Sequence, residues 1–153
     1  MKKILILAIM LAVMFCLSGC HIKGDDVKQV LDDVAGRLGN SQITEEEDLI
    51  GMRVLEKDSY TGKYEADCKG NTGRDVIFGG GSIETRKLHV YGTIDAEEGK
   101  AVVRIRLNEE VRELYVDENG EFKTDLSMES GGNYIMIDYE EFQGSVELIS
   151  EYK

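Results

Sequence analysis

The sequence predicts a mainly β protein: an antiparallel β-sandwich, jelly-roll or immunoglobulin-like, of about eight or nine strands preceded by one short amphipathic helix. Two observations support this fold class. From about Leu49 onward, short segments of alternating apolar and polar residues recur about every 8–12 residues, and Gly, Asn and Asp separate them. Before Leu49, the apolar residues follow a period near 3.6, which is typical of a helix.

The helix is predicted at residues 25–38. Asp25 or Asp26 provides an N-cap, and Gly39 is a suitable C-terminal stop. The apolar residues of this segment would share one helical face. They are Val27, Val30, Leu31, Val34 and Leu38.

Nine strands are predicted after the helix from period-two alternation and turn residues. They span residues 50–56, 61–69, 75–79, 84–95, 100–107, 111–117, 121–129, 133–139 and 142–151. Their inward-facing residues should form a single core between two layers. The predicted core contains Leu88, Val90, Ile94, Val103, Ile105, Leu107, Leu114, Val116, Phe122, Leu126, Ile135, Ile137, Phe142, Val146 and Leu148. Cys68 alternates with Tyr64 and Ala66, so we expect it to point inward as a small apolar group.

Three hairpins are predicted from the register that keeps apolar residues on one face. A turn at 96–99 would pair Gly92 with Val103. A second turn, with its glycine left-handed, would place Val116 opposite Phe122. A third turn, at Gly131-Gly132, would join the strand at 121–129 to the strand at 133–139.

The outer face of the first predicted hairpin is the candidate ligand or anion site. It would carry His89, Tyr91, Arg104 and Arg106 on neighbouring strands. Arginine pairs bind carboxylates or phosphates, so an acidic glycan or another anion is one interpretation. The other is that these cations form surface salt bridges with the abundant acidic residues.

The N-terminus has the layout of a bacterial export leader. Lys2 and Lys3 precede an apolar run at 4–17, which is shorter than the roughly 20 residues that a membrane-spanning helix needs. The four residues after it, Leu17-Ser18-Gly19-Cys20, resemble the lipobox that signal peptidase II recognises in bacterial lipoproteins. The resemblance implies that Cys20 receives a diacylglyceryl group and, after cleavage, becomes the first residue.

This layout predicts three regions: a signal peptide at 1–19, a lipidated tether with the helix at 20–48, and the β-sandwich domain at 49–153. The implied location is the extracytoplasmic face of the cell membrane, with the lipid on Cys20 as the membrane anchor. Two acyl chains such as palmitate bind a bilayer stably, because each buried CH₂ contributes about 0.8 kcal/mol.

The domain itself resembles small uncharacterised β-sandwich lipoproteins of Gram-positive bacteria, over about residues 49–152. Four motifs carry this resemblance: Asp58-Ser59-Tyr60-Thr61-Gly62-Lys63-Tyr64, Phe78-Gly79-Gly80, Gly132-Asn133-Tyr134-Ile135 and Phe142-Gln143-Gly144-Ser145. The resemblance implies the fold and the location but no activity.

Composition excludes several functions. With 30 acidic and 18 basic residues the chain has a net charge of −12, which disfavours nucleic acid and anionic lipid headgroups as partners. No sequence motif indicates a cofactor, a metal site or a catalytic constellation. The sequence therefore predicts a non-catalytic binding or interaction module, with an extracellular protein or a glycan as partner. An extracytoplasmic hydrolase and a structural envelope protein are the alternatives.

Overall fold

The computed structural model describes residues 42–153, together with Leu31 and Val34. Six β-strands form one antiparallel network. They are β1 (Met52–Leu55), β2 (Gly62–Ser82), β3 (Arg86–Leu107), β4 (Glu110–Glu113), β5 (Glu121–Met128) and β6 (Gly131–Tyr152). The mainly β, antiparallel prediction is thus confirmed.

Three of these strands are unusually long, with 21 residues in β2 and 22 each in β3 and β6. Each is interrupted near its middle by shifts in register. Left-handed residues mark the interruptions: Gly70 with φ 87°, Gly99 with φ 72° and Glu141 with φ 46°. Such bulges bend a strand, so each long strand contributes one half to each of two layers.

The strand pairing defines these two layers. In the first layer the order is β1, β2 (62–69), β6 (143–152), β3 (86–96) and β5. In the second layer it is β2 (73–82), β6 (131–140), β3 (100–107) and β4. The nine predicted segments thus correspond to nine strand halves or short strands, and six of them join in pairs to form β2, β3 and β6.

The two layers enclose a common core. Buried side chains from both layers form one cluster, for example Leu88 and Val90 from the first and Val103 and Ile105 from the second. No strand or helix other than these covers either sheet among residues 42–153. Each inner face is therefore covered by the other, which is the arrangement of a two-layer sandwich.

The order of segments differs from that of one predicted sandwich type, the immunoglobulin sandwich. When the nine segments are numbered in chain order, with each half of a long strand counted separately, the first layer has the order 1-2-9-4-7. The second layer has the order 3-8-5-6. An immunoglobulin sandwich pairs its second segment with its first and fifth. Here the second segment pairs with the first and the ninth. The order therefore differs from the immunoglobulin arrangement.

The predicted core is confirmed except at its margin, where Leu107, Leu114 and Val116 are only partly buried. Cys68 is also buried, with 2% of its surface exposed, and burial raises the pKa of its thiol. Several large buried side chains lie outside the predicted core set, most of them in the long strands. They include Tyr64, Ile77, Phe78, Met128 and Tyr139.

The first predicted hairpin is wrong. Strand β3 runs on through the supposed turn at 96–99, and its two halves do not pair with each other. Gly92 lies opposite Leu148 and Phe122, and Val103 lies opposite Ile137. A local turn was predicted where a bulge carries the strand from one layer into the other.

The other two hairpins are also wrong in their pairing. Gly120 does adopt the predicted left-handed conformation, with φ 79°. However, β4 and β5 do not pair with each other; both pair with β3, at opposite ends. Likewise β5 does not pair with β6, and Leu126 of β5 lies opposite Leu88 of β3.

Several predictions fall outside the described residues. These are the signal peptide at 1–19, the lipobox with Cys20, and most of the helix at 25–38. Of that helix the structure describes Leu31 and Val34, which are helical and about half exposed. Within the described part of the chain, no helix is both long and apolar enough to span a membrane.

Candidate ligand-binding groove

The four residues of the predicted ligand face lie on two different surfaces. Along β3, His89 and Tyr91 alternate with the buried Leu88 and Val90, so they point outward from the first layer. Arg104 and its neighbour Arg106 alternate with buried residues of the second layer and point outward there. The register that placed all four side chains on one face is therefore incorrect.

Arg104 belongs to an ion-pair network on the second layer. Its Nη2 lies 2.6 Å from Oε1 of Glu113, and its Nη1 lies 2.9 Å from Oδ2 of Asp138. Asp138 also accepts hydrogen bonds from Nε and Nη2 of Arg74. These bonds, with the nearby charge of Arg104, lower the pKa of Asp138. The charge of Arg104 is thus already balanced by carboxylates.

Arg106 has a different role. Its Nε donates to the carbonyl oxygen of Asn108 at 2.8 Å, and its Nη1 donates to Oε1 of Gln42 at 2.8 Å. The guanidinium also lies over the ring of Tyr134, 5.4 Å from the centroid. In the described part of the chain it contacts no carboxylate. Arg106 therefore connects the start of the β3–β4 turn to residue 42.

His89 and Tyr91, in contrast, line a groove on the outer face of the first layer. Nδ1 of His89 lies 2.8 Å from Oδ1 of Asp125, and its ring centroid lies 5.1 Å from that of Tyr91. Asp125 also accepts a hydrogen bond from Nζ of Lys153. The bond to Lys153, followed by that to His89, lowers the pKa of Asp125.

The floor of the groove consists of β5, β3 and β6, and its wall is the segment that joins β4 to β5. The volume is about 860 Å³, compared with about 490 and 470 Å³ for two other depressions of the surface. Leu114 and Tyr115 form the wall, and 81% of the Tyr115 side chain is exposed. Half-buried Tyr91 lies in the floor, so two tyrosines border one open volume.

Strand register places polar groups beside these rings. Thr93 lies opposite both Glu121 of β5 and Glu147 of β6, so the three form one row across the sheet. In the next row, Tyr91 lies between Lys123 and Ile149. All six side chains line the groove. The groove therefore combines one row of aromatic, aliphatic and ammonium groups with a second row of hydroxyl and carboxylate groups.

Two of the groove residues were predicted from the sequence, and the others were not. Tyr91 and His89 were identified by their outward position on a predicted strand. Tyr115, Glu121 and Glu147 were missed because they approach Tyr91 only through pairings between segments far apart in the chain. Within the described residues, no group of three His, Cys, Asp or Glu side chains is arranged to hold a metal ion.

No protein-family model matches the chain, and no curated protein matches it in sequence. Among solved structures, the chain is similar to a CBM35 domain from Cellvibrio japonicus Abf62, with 10% identity, a TM-score of 0.40, and coverage of 67% of this chain and 84% of that one. It is similar to a family 35 carbohydrate binding module from Clostridium thermocellum, with 13% identity, a TM-score of 0.40, and coverage of 71% and 94%. The third is module CBM6cm-2 of Cellvibrio mixtus lichenase 5A, with 5% identity, a TM-score of 0.36, and coverage of 76% and 95%. At TM-scores below 0.5, these similarities do not indicate a function.

Proposed function

We propose that this protein is a lipid-anchored, extracytoplasmic, non-catalytic module that binds a saccharide in the groove on its first layer. The observation that carries the proposal is the pairing of exposed Tyr115 with half-buried Tyr91 across an open volume of about 860 Å³. Aromatic side chains that line a concave surface are typical of ligand-binding sites.

The chemistry of the groove suits a sugar. Pyranose rings present C–H faces, which pack on aromatic rings, and hydroxyl groups, which need hydrogen-bond partners. Tyr91 and Tyr115 offer ring faces, while Thr93, Glu121 and Glu147 offer a hydroxyl and carboxylates on the adjacent row. Groups of both kinds within one groove fit an amphipathic ligand better than a purely apolar one.

An extracytoplasmic hydrolase is the alternative function. Catalysis would require a cleft that contains an activating group such as His89. His89 does line the groove and contacts Asp125. However, the part of the groove lining that the structure describes includes no serine or cysteine that His89 could activate. Glu121 is exposed and Glu147 only half-buried, whereas a glycosidase acid sits desolvated inside a cleft. These features favour binding without catalysis.

The anchor is supported by the sequence alone. A dilysine start, an apolar run at 4–17 and Leu17-Ser18-Gly19-Cys20 follow each other in the order that lipoprotein export requires. We expect the Cys20→Ala variant to lose its acyl mass and to shift from the membrane to the soluble fraction. Mass spectrometry and fractionation of producing cells would measure both. An unmodified Cys20 in the wild type would refute the anchor.

The saccharide site is tested with the full-length protein in detergent micelles on a glycan array, followed by titration calorimetry with the best oligosaccharide. We expect Tyr115→Ala to weaken binding by about five- to tenfold, because removing a stacked ring costs about 1–1.5 kcal/mol. Val111→Ala is the matched control, since Val111 is 52% exposed but lies on β4 of the second layer. Equal losses in both variants, or no saccharide binding by the wild type, would contradict the proposal.

A further inference from the structure

The charges around the groove are unevenly distributed. Among the residues that the structure describes, three carboxylates line it, those of Asp117, Glu121 and Glu147, together with one lysine, Lys123, and no arginine. The whole chain carries a net charge of −12. A ligand approaching this face therefore meets a negative potential both from the groove and from the molecule around it.

Two of the three carboxylates already have partners. Oδ1 of Asp117 accepts hydrogen bonds from the backbone N–H groups of Asn119 and Glu121, both at 2.9 Å. Glu147 shares Lys63 with a neighbouring glutamate, at an Nζ–Oε1 distance of 3.4 Å. The third carboxylate, that of Glu121, forms no ion pair with any residue that the structure describes. It is exposed and lies in the row next to Tyr91.

An ammonium group matches this arrangement. It is attracted to a carboxylate, and it is also attracted to the face of a tyrosine ring by about 0.5–1 kcal/mol at an exposed site. Glu121 and Tyr91 are diagonal neighbours on β5 and β3, about 7–8 Å apart, so the ends of both side chains can contact one sugar unit. A carboxylate on the sugar would instead be repelled by all three acidic side chains.

We propose that the groove selects saccharides bearing free primary amino groups over neutral and acidic ones. This rests on the proposed function, because it assigns the ligand class of the same groove. The arginines that could have favoured an anion point outward from the other layer, and Arg104 is neutralised there by Glu113 and Asp138. Lys123 is the lysine of the described lining that opposes the selection.

The test uses three short oligosaccharides of equal length with the full-length protein in neutral detergent: oligoglucosamine, its fully N-acetylated form, and oligogalacturonate. Calorimetry at low salt, at a pH where the amines are protonated, should give the tightest binding to oligoglucosamine. The preference should shrink as salt is raised, because the interaction is exposed and screened. Tighter or equal binding of the acetylated or acidic sugar would overturn the inference and leave saccharide binding intact.

Two charge variants of the groove should change the affinity for oligoglucosamine in opposite directions. Glu121→Gln should weaken oligoglucosamine binding by about two- to fivefold, and Lys123→Gln should strengthen it by a similar factor. The acetylated sugar should respond to neither change. Glu110→Gln is the control, since Glu110 is an exposed acid on β4 of the second layer. Inverted signs would overturn the inference, and no binding of any saccharide would refute the proposed function as well.

Discussion

Asp75 is a fully buried carboxylate at the centre of a hydrogen-bond network. Its oxygens accept the backbone N–H groups of Ile50, at 2.9 Å, and of Gly51, at 3.2 Å. They also accept the hydroxyl of Tyr64 at 2.5 Å, and that hydroxyl lies 2.8 Å from the hydroxyl of Tyr139. Burial, with these neighbours, raises the pKa of Tyr64. The network holds the segment before β1 against the core.

Replacing Asp75 with Asn should therefore destabilise the protein. The amide keeps the shape but places an N–H₂ group among donors, so at least one buried donor loses its acceptor. We expect a loss of about 1–3 kcal/mol in the free energy of unfolding. Urea denaturation followed by circular dichroism would measure it. Asp67→Asn, at an exposed position on β2, should change little, and equal effects of the two variants would count against this network.

The lowered pKa of Asp138 predicts that part of the free energy of unfolding depends on pH. The hydrogen bonds from Arg74 lower its pKa below the ordinary 3.8, so the folded state holds this carboxylate charged more readily than the unfolded chain does. Its contribution is present above pH 3.8 and is lost as the pH falls through the lowered value. The site is partly exposed, so the contribution should not exceed about 1 kcal/mol.

The measurement compares the wild type with Asp138→Asn across acidic pH by chemical denaturation. The difference in unfolding free energy should be largest above pH 3.8 and should vanish in stronger acid. Asp95→Asn provides the control, because Asp95 is exposed on β3 and lies outside the ion pairs of Arg74 and Arg104. A pH-independent difference would show that the ion pairs of Asp138 do not stabilise the fold.

At the scale of the elements, the bends in the long strands decide the architecture. Gly99 has φ 72°, and a Cβ added there would lie 2.2 Å from the carbonyl oxygen of Glu141 in β6. Gly70 has φ 87°, but a Cβ added there would meet nothing within 4 Å. Both glycines lie where a strand changes layer, and both have a left-handed backbone. Only Gly99 is also closely packed, so comparing the two positions distinguishes backbone strain from steric collision.

Alanine at these two positions should have unequal effects. Gly70→Ala should cost about 1–2 kcal/mol, the strain of a left-handed residue. Gly99→Ala should cost at least about 1 kcal/mol more, because the new Cβ also collides with the β6 backbone. Thermal and urea denaturation of both variants would compare them. Equal costs would mean that β6 moves aside freely and that the bend at Gly99 is not tightly packed.

At the scale of the whole molecule, the fold depends on contacts between distant parts of the chain. Gly62 near the start of β2 pairs with Ser150 near the end of β6, and β6 lies between β2 and β3 in both layers. Such non-local pairing makes folding slow and strongly cooperative. It also places the C-terminal segment at 143–152 in the middle of the first layer.

Truncation after Glu141 should therefore abolish folding rather than shorten one edge. The remaining chain would lose Val146 and Leu148 from the core and would leave β2 and β3 without their common partner. We expect loss of the cooperative urea transition and of near-ultraviolet circular dichroism. Removing Lys153 alone is the control, since it lies beyond β6. A truncated chain that still unfolds cooperatively would show that the second layer is stable by itself.

The sequence by itself determined the strand class, most of the core and the outward position of His89 and Tyr91. These follow from the alternation of side chains along a strand, which is a local property of the backbone. The tertiary structure alone decided which strands pair. Backbone hydrogen bonds form equally well with any neighbouring strand, so the local sequence of a strand does not specify its partner. Turn residues at 96–99 fit a hairpin and a layer-crossing bulge equally well, and burial of the second layer against the first selects the bulge. For that reason Arg104 and Arg106 lie away from the groove. Tyr115, Glu121 and Glu147 line it together with Tyr91, although the sequence did not predict them there.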